Sequence, residues 1–443
     1  MVSAPPISLV IWLGAAFAAV TATAVWAAPA STEIQDLESR LRAQDARIQQ
    51  LEAEVRRLSA QAAAKPNPPT EAPASGTATP APAQVAAAPA GKGEDVTIKL
   101  RGRIQVDASL GSGKDMSFGT QIRRFYLGAE GKFAGGFRYL AEADFAGNDV
   151  SLQDVLIGYQ VDPGTELVVG HFKPFITNDD LTSDVYTLFL ERSAYATVFS
   201  PGRRIGAGVN HAGGSWGVHA GLFGEREDRS LDTNRSEAWL ASGRVHADLL
   251  PSDDVLHVAL SGYYSEPSSS DHAVRITQKP EVNRAPVVLD TGVFRADHGL
   301  FGGAELAYAR GPLTVQAEGG VLGYTGAATD PLFWGYSAQA SWRWTGEARP
   351  YDVASGTFGR VTPARSFASG GAGAFETGLR LTHVDLDDDG VFGGKLTTYG
   401  IVLNWFPVTR VRLSANFIHA DTDRINGPDL KHDLLAIRGA VDW

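Results

Sequence analysis

Three cations spaced two apart, Lys99, Arg101 and Arg103, are the first residues in the chain whose type and spacing suggest chemistry. In an extended chain a spacing of two puts all three on one face. Such a row attracts or guides anions and supplies no nucleophile. No nucleophile elbow, phosphate loop or dinucleotide fingerprint occurs, so nothing supports an enzyme. The ten His are scattered without zinc-like spacing. There is no Cys, which excludes disulfides and thiolate metal sites. Asp385-Leu386-Asp387-Asp388-Asp389-Gly390 resembles half of a calcium loop, yet Leu396 stands where the closing bidentate Glu belongs. The stretch Asp385–Lys395 therefore reads as an exposed acidic loop, with a weak divalent-ion or lipopolysaccharide contact as the lesser reading. No metal or cofactor is expected.

The elements that position the cations are strands. Ile98, Leu100, Ile104, Val106, Ala108 and Leu110 alternate with Lys99, Arg101, Arg103, Gln105, Asp107 and Ser109. Similar short runs repeat to the C-terminus, separated by turn signals such as Asp162-Pro163-Gly164 and Gly311-Pro312. They number about sixteen, with short turns on one side and mostly longer loops on the other. Hydrophobic residues make up 44% of the chain in alternating runs, and no apolar run long enough for a helical span follows the N-terminus. The last strand carries Leu435, Ile437, Val441 and Trp443 on one face. These features predict an all-β fold, a sixteen-stranded antiparallel transmembrane β-barrel over residues 95–443. The net charge of -11 argues against nucleic-acid binding. One segment breaks the rhythm. After Leu167-Val168-Val169-Gly170-His171-Phe172 no strand resumes until Arg204. The aromatics Phe175, Tyr186, Phe189, Tyr195 and Phe199 argue against disorder there, so the segment reads as a loop folded into the barrel.

The N-terminal region reads differently. Residues 1–28 resemble a secretory signal peptide, although no Lys or Arg precedes the apolar run. Residues 31–60 carry heptads, with Ile34, Leu41, Ile48 and Val55 at a and Leu37, Gln44, Leu51 and Leu58 at d. They predict an α-helical coiled-coil stalk; β-branched a with Leu at d favours dimers. Residues 61–92 form an Ala/Pro-rich linker.

Ile122-Arg123-Arg124-Phe125-Tyr126-Leu127 resembles the second strand of the phosphate-selective porin O and P family. Gly170-His171-Phe172-Lys173 and Leu190-Glu191-Arg192-Ser193 resemble the start and end of its constriction loop. Trp344-Thr345-Gly346-Glu347 with Arg349-Pro350-Tyr351 is similar to its long periplasmic connection. Leu403-Asn404-Trp405-Phe406 and Ser414-Ala415-Asn416-Phe417 are similar to its late strands. The resemblance implies an outer-membrane porin in a Gram-negative bacterium, with lipid and lipopolysaccharide around it and its stalk in the periplasm. It implies a homotrimer, against the dimer favoured by the heptads. It also implies passive diffusion of small anions, phosphate or polyphosphate, past lumen arginines. Arg124, Arg123 and Arg192 are the residues carried over, with Lys99, Arg101 and Arg103 extending a basic track. Arg124 points inward by parity with Tyr126 and Glu130. Arg123 points outward unless it sits at the rim or in a bulge. Asp179 and Asp180 depart from the family, whose phosphate-selective members carry Lys just before the Thr-Ser pair that Thr182-Ser183 matches. They either repel phosphate or pair with arginines and pin the loop. The alternatives are a general or carbohydrate porin with weak or cation selectivity, and an envelope tether reaching the cell wall through the stalk.

Overall fold

The computed structural model describes residues 96–112, 117–147, 149–226, 237–250, 253–326, 329–425 and 429–443. The expected signal peptide, coiled coil and linker all lie outside the described residues. Sixteen strands close into one antiparallel barrel, each pairing with its neighbours in sequence. They are β1 (Lys99–Gly111), β2 (Gly119–Lys132), β3 (Phe137–Asp144), β4 (Ser151–Asp162), β5 (Thr165–Phe172), β6 (Arg204–Ala212), β7 (Trp216–Phe223) and β8 (Trp239–Asp248). Then follow β9 (Val255–Glu266), β10 (His298–Arg310), β11 (Leu313–Thr325), β12 (Leu332–Arg343), β13 (Ala374–Asp388), β14 (Val391–Val408), β15 (Val411–Asp423) and β16 (Leu430–Asp442). The expected strand number is borne out.

The barrel closes where β1 pairs with β16, from Arg103 opposite Asp442 to Gly111 opposite Leu434. Trp443 completes this seam. Its N–H donates to the Gly102 carbonyl at 3.1 Å, and the Gly102 N–H donates to its carbonyl at 3.3 Å. The indole lies over Gly102, where a Cβ would come within 2.3 Å of the ring.

Burial is inverted relative to a water-soluble sandwich. Leu100, Leu222, Leu260 and Leu300 are 71%, 64%, 63% and 65% exposed, whereas Arg343 and Arg438 are 0% and 1% exposed. Period two thus sends leucines to the outer wall and guanidiniums to the inner one, as a bilayer-facing barrel requires. Closure satisfies every strand edge within the wall. Exposed aromatics ring both ends: Phe137, Tyr159, Trp216, Trp342 and Trp344 at the terminal end, where β1 begins and β16 ends, and Phe118, Trp239, Trp334 and Phe392 at the opposite, loop end.

Connections at the terminal end are short, except for residues 344–373. At the loop end, residues 173–203 and 267–297 are the longest. The expected acidic loop Asp385–Lys395 is corrected by the register. β13 runs to Asp388, β14 starts at Val391, and Asp385 opposes Lys395. Only Asp389-Gly390 turns the chain, both with positive φ (41° and 80°), the conformation of a tight hairpin turn. The Asp385 carboxylate meets Lys395 Nζ at 2.8 Å. Those of Asp388 and Asp389 accept from the Leu332 and Asp330 N–H groups, each at 2.7 Å. The carboxylates are committed to the hairpin and to the start of β12.

Candidate functional site

The constriction loop, residues 173–203, packs along the inner wall through its apolar side chains. Leu188, Phe189, Leu190, Tyr195 and Phe199 are buried against Val384, Leu396, Val402, Ile418 and Leu434. Each contributes roughly 1.5–3 kcal/mol on burial. Glycines make room: a Cβ on Gly378 would meet Leu188 at 2.7 Å, and one on Gly400 would meet Phe189 at 2.7 Å. Two short helices shape the loop, α1 (Asn178–Leu181) and α2 (Ala194–Phe199), capped by Thr177 and Ser193. Carboxylates meet both helix starts. Glu318 accepts from the Asn178 and Asp179 N–H groups, Asp179 from Ser193 and Glu281 from Ala194.

The loop's middle is held by its backbone. The Tyr186 carbonyl accepts from Arg349, Thr187 from Arg412 at 2.7 Å and Leu188 from Asn404 at 2.9 Å. The Leu190 carbonyl accepts from Arg438, and Glu191 from Arg380 at 2.9 Å. Five side chains thus bind five carbonyls within six residues of loop. A guanidinium cannot deprotonate in a protein, so each of these four arginines stays a fixed charge and a fixed donor.

The side chains facing this loop alternate in charge along an unbroken track. Lys99 Nζ lies 2.8 Å from Glu130, which also meets Arg101 at 2.8 Å. Arg101 reaches Glu142 at 3.2 Å, and Glu142 meets Arg103 at 3.3 Å. Arg103 pairs with Asp184 of the loop, and Asp184 also pairs with Arg124 at 3.2 Å. Arg124 lies 4.0 Å from Glu191, which Arg123 grips at 2.8 Å. Arg438 joins Glu191 to Asp107. Burial favours the neutral form of Asp184, but Arg124 and Arg103 overcome it and hold that carboxyl far below the usual range. Glu191 is likewise held far down by Arg123 and Arg438 against its burial.

Lys99, Arg101, Arg103, Arg123 and Arg124 fall within this track, and Arg192, Asp179 and Asp180 lie in the loop outside it. Arg124 points inward as parity requires. Arg123 points inward too, because the β1–β2 register slips between Gln105 and Val106 and the extra residue turns it toward Glu191. Lys99, Arg101 and Arg103 share the inner face, each beside a carboxylate. Arg192 donates to the Asp179 and Thr182 carbonyls and lies 3.3 Å from Asp180. Asp180 also meets Lys173 at 3.2 Å. Asp179 caps α2 and lies 3.9 Å from Arg380. Asp180 thus pins the loop through loop cations rather than barrel arginines. Asp184, Glu191 and the wall arginines Arg343, Arg380, Arg412 and Arg438 were not singled out from the sequence. The signal was present for Arg438, which alternates with outward Leu435 and Ile437.

Above the loop, toward the loop end, opens a cavity of about 460 Å³. Arg123, Arg124, Arg192, Arg226 and Lys279 line it against Asp180, Glu191 and Glu281. Below, toward the terminal end, a second cavity of about 480 Å³ is bordered by the connection 344–373. The inward-folded loop thus has a charged cavity on each side.

The family model for phosphate-selective porin O and P matches residues 98–443, the whole barrel. The chain belongs to this porin family. Porin O of Pseudomonas aeruginosa is 25% identical over 389 residues, covering 76% of this chain and 86% of that one. An uncharacterised protein of Caulobacter vibrioides is 29% identical over 344 residues, 73% of this chain and 68% of that one. The fold is similar to that of OmpT of Vibrio cholerae, with TM-score 0.51 and 13% identity over 79% of this chain and 98% of that one. An anion-selective porin from Comamonas acidovorans has TM-score 0.50 and 12% identity over 79% of this chain and 100% of its own. The porin's place is the outer membrane, as family and barrel both require. Porins are channels.

Proposed function

We propose that this porin passes small inorganic anions by diffusion, with phosphate or polyphosphate as the solute class. The loop-end cavity carries the reading. Five cations line it against three carboxylates, and Arg123 and Arg124 reach it from the wall. Guanidinium forks match phosphate oxygens in pairs, which suits this class over a point-charge anion. Asp180 stands in that wall but is compensated by Lys173 and Arg192. The relative named for anion selectivity supports the same assignment. Phosphate first meets the cavity cations and then passes Asp184 and Glu191.

A second reading rests on the track itself. Each of its cations meets a carboxylate, which suits a weakly selective porin for neutral solutes such as carbohydrates, or one that favours cations. Reversal potential in a planar bilayer under a KCl gradient, repeated with added phosphate, separates the two. Anion selectivity with phosphate block supports the first; cation selectivity, or indifference to phosphate, supports the second.

The terminal end faces the periplasm and the loop end faces outside among lipopolysaccharide, and the stalk expected over residues 31–60 belongs to the periplasm. The trimer form of OmpT, a fold neighbour, supports a homotrimer. The stalk either holds the trimer or tethers the barrel to the cell wall. Deleting residues 31–90 tests this: loss of trimers assigns assembly, and altered envelope integrity at unchanged conductance assigns tethering.

A further inference from the structure

Three histidines distant in sequence meet on the inner wall below the constriction loop. His219, His246 and His257 lie on the adjacent strands β7, β8 and β9. His219 Nε2 and His246 Nε2 are 3.0 Å apart, and their rings stack at 9°. His257 Nδ1 lies 2.6 Å from the Tyr351 hydroxyl. Tyr351 belongs to the connection 344–373, whose Gly356 lies directly against His246. A Cβ on Gly356 would come 2.6 Å from His246 Nδ1. The Gly356 carbonyl also accepts from Arg244 at 3.0 Å and from Asn178 of the constriction loop at 2.6 Å. On its other side His219 stacks on Phe175 of that loop, 5.2 Å between centroids. The pair therefore touches both segments that fill the lower lumen, and His219, itself buried, borders the terminal-end cavity.

The hydrogen bonds fix how many protons this pair holds. Asn210 Oδ1, 2.9 Å from His219 Nδ1, accepts its proton. His219 Nε2 is then the acceptor and His246 Nε2–H the donor. His246 Nδ1 has no partner and faces the Gly356 backbone. Each ring thus holds one proton. A further proton lands either on His246 Nδ1, which faces no acceptor, or between two N–H groups aimed at each other. No carboxylate is spare. Glu305 is gripped by both arms of Arg244 at 2.9 and 2.7 Å and by His257 at 3.0 Å. Asp352 of the connection accepts from Ala354 N–H and from Ser355 Oγ–H. Arg244 adds a standing positive charge beside the stack.

We propose that the His219–His246 stack is a proton-released latch on the connection 344–373. Neutral, it holds the connection in the lumen; charged, the rings part and the connection swings away, widening the terminal-end passage. This rests on the channel reading above.

The test uses two readouts on the full chain. The chain has no Cys, so Ala354→Cys takes a single nitroxide label, attached at neutral pH and read by electron paramagnetic resonance. As pH falls from about 6.5, the ordinary histidine value, to about 3, label mobility rises, because a second proton that meets no acceptor is taken up only below that ordinary value. Single-channel conductance rises about twofold over the same interval as the passage widens. His246→Gln, which still donates to His219 but does not titrate, loses both changes. A spectrum that stays constant with pH, or an equal change in His246→Gln, overturns the latch. A protein that never conducts refutes the channel reading, while the label still decides whether the latch exists.

Discussion

Asp184→Asn removes the charge that stands at the centre of the alternating track and leaves its shape nearly intact. In the native loop this carboxylate neutralises Arg103 and Arg124 together. An anion in contact with Arg124, on the side away from Asp184, lies roughly 8 Å from that carboxylate, one guanidinium beyond the 3.2 Å contact. At an effective dielectric constant of about 40, one unit charge at that distance is worth about 1 kcal/mol. Removing it favours an anion and disfavours a cation by that amount each. Screening over a Debye length of about 10 Å removes about half of the combined effect. The anion-to-cation permeability ratio therefore rises roughly fivefold. The loop stays in place, because the carbonyl bonds to Arg349, Arg412, Asn404, Arg438 and Arg380 are untouched and an amide oxygen at 184 still accepts from Arg103. Reversal potential in a planar bilayer, wild type beside variant, measures the ratio. An unchanged ratio, or a move toward cations, would refute the idea that compensated loop carboxylates limit selectivity.

Other consequences are as direct. Burial, and then Arg192, push the Lys173 amine down from 10.5 to about 8. Raising pH through that value removes one lumen cation and leaves Asp180 to Arg192, so anion selectivity falls in a step that Lys173→Met abolishes. Because the unfolded chain keeps this proton until near 10.5, the fold also gains stability between the two values, visible as a melting temperature that rises with pH. Arg380→Met removes a carbonyl donor and the cation nearest Glu281, and costs about 3 kcal/mol; a lower melting temperature and noisier open-channel current are expected, and unchanged traces would remove Arg380 from the loop's support. Gly102→Val drives a side chain into Trp443 at the seam and costs about 1–3 kcal/mol. Heat-modified gel mobility then shows a smaller folded fraction, and a normal fraction would mean that Trp443 does not close the barrel.

The barrel could be read in the sequence because its signal is local. Period two in β1 and the Leu435, Ile437, Val441 face of β16 are each visible in a dozen residues. The site was less accessible. Arg123 reaches the lumen only through a bulge, and a one-residue slip leaves no compositional trace. His219, His246 and His257 become neighbours through strand register alone, so their sequence spacing said nothing. The inward path of residues 267–297 and 344–373 was likewise hidden, although one sign of filling existed. Leu434-Leu435-Ala436-Ile437 is apolar on both faces, which a water-filled lumen would not demand. Asp385–Gly390 misled because β13 and β14 run past the acidic run and absorb it into a hairpin.

The loop's anchoring and its electrostatics cannot be separated. Arg438 donates to the Leu190 carbonyl and also joins Glu191 to Asp107. Arg103 and Arg124 hold Asp184, and through it the loop, and Arg124 also lines the loop-end cavity. A wall of unpaired arginines would repel itself and leave the loop's acids uncompensated at depth, a costly state. Alternation removes both costs and leaves net charge to be set where the track ends, in the loop-end cavity with its excess of cations. Selectivity on this view is a property of that imbalance rather than of any single arginine. A substitution that shifts the cavity's charge without touching the loop, such as Lys279→Gln, should therefore change ion preference and leave the melting temperature unchanged, whereas Arg438→Gln should disturb both.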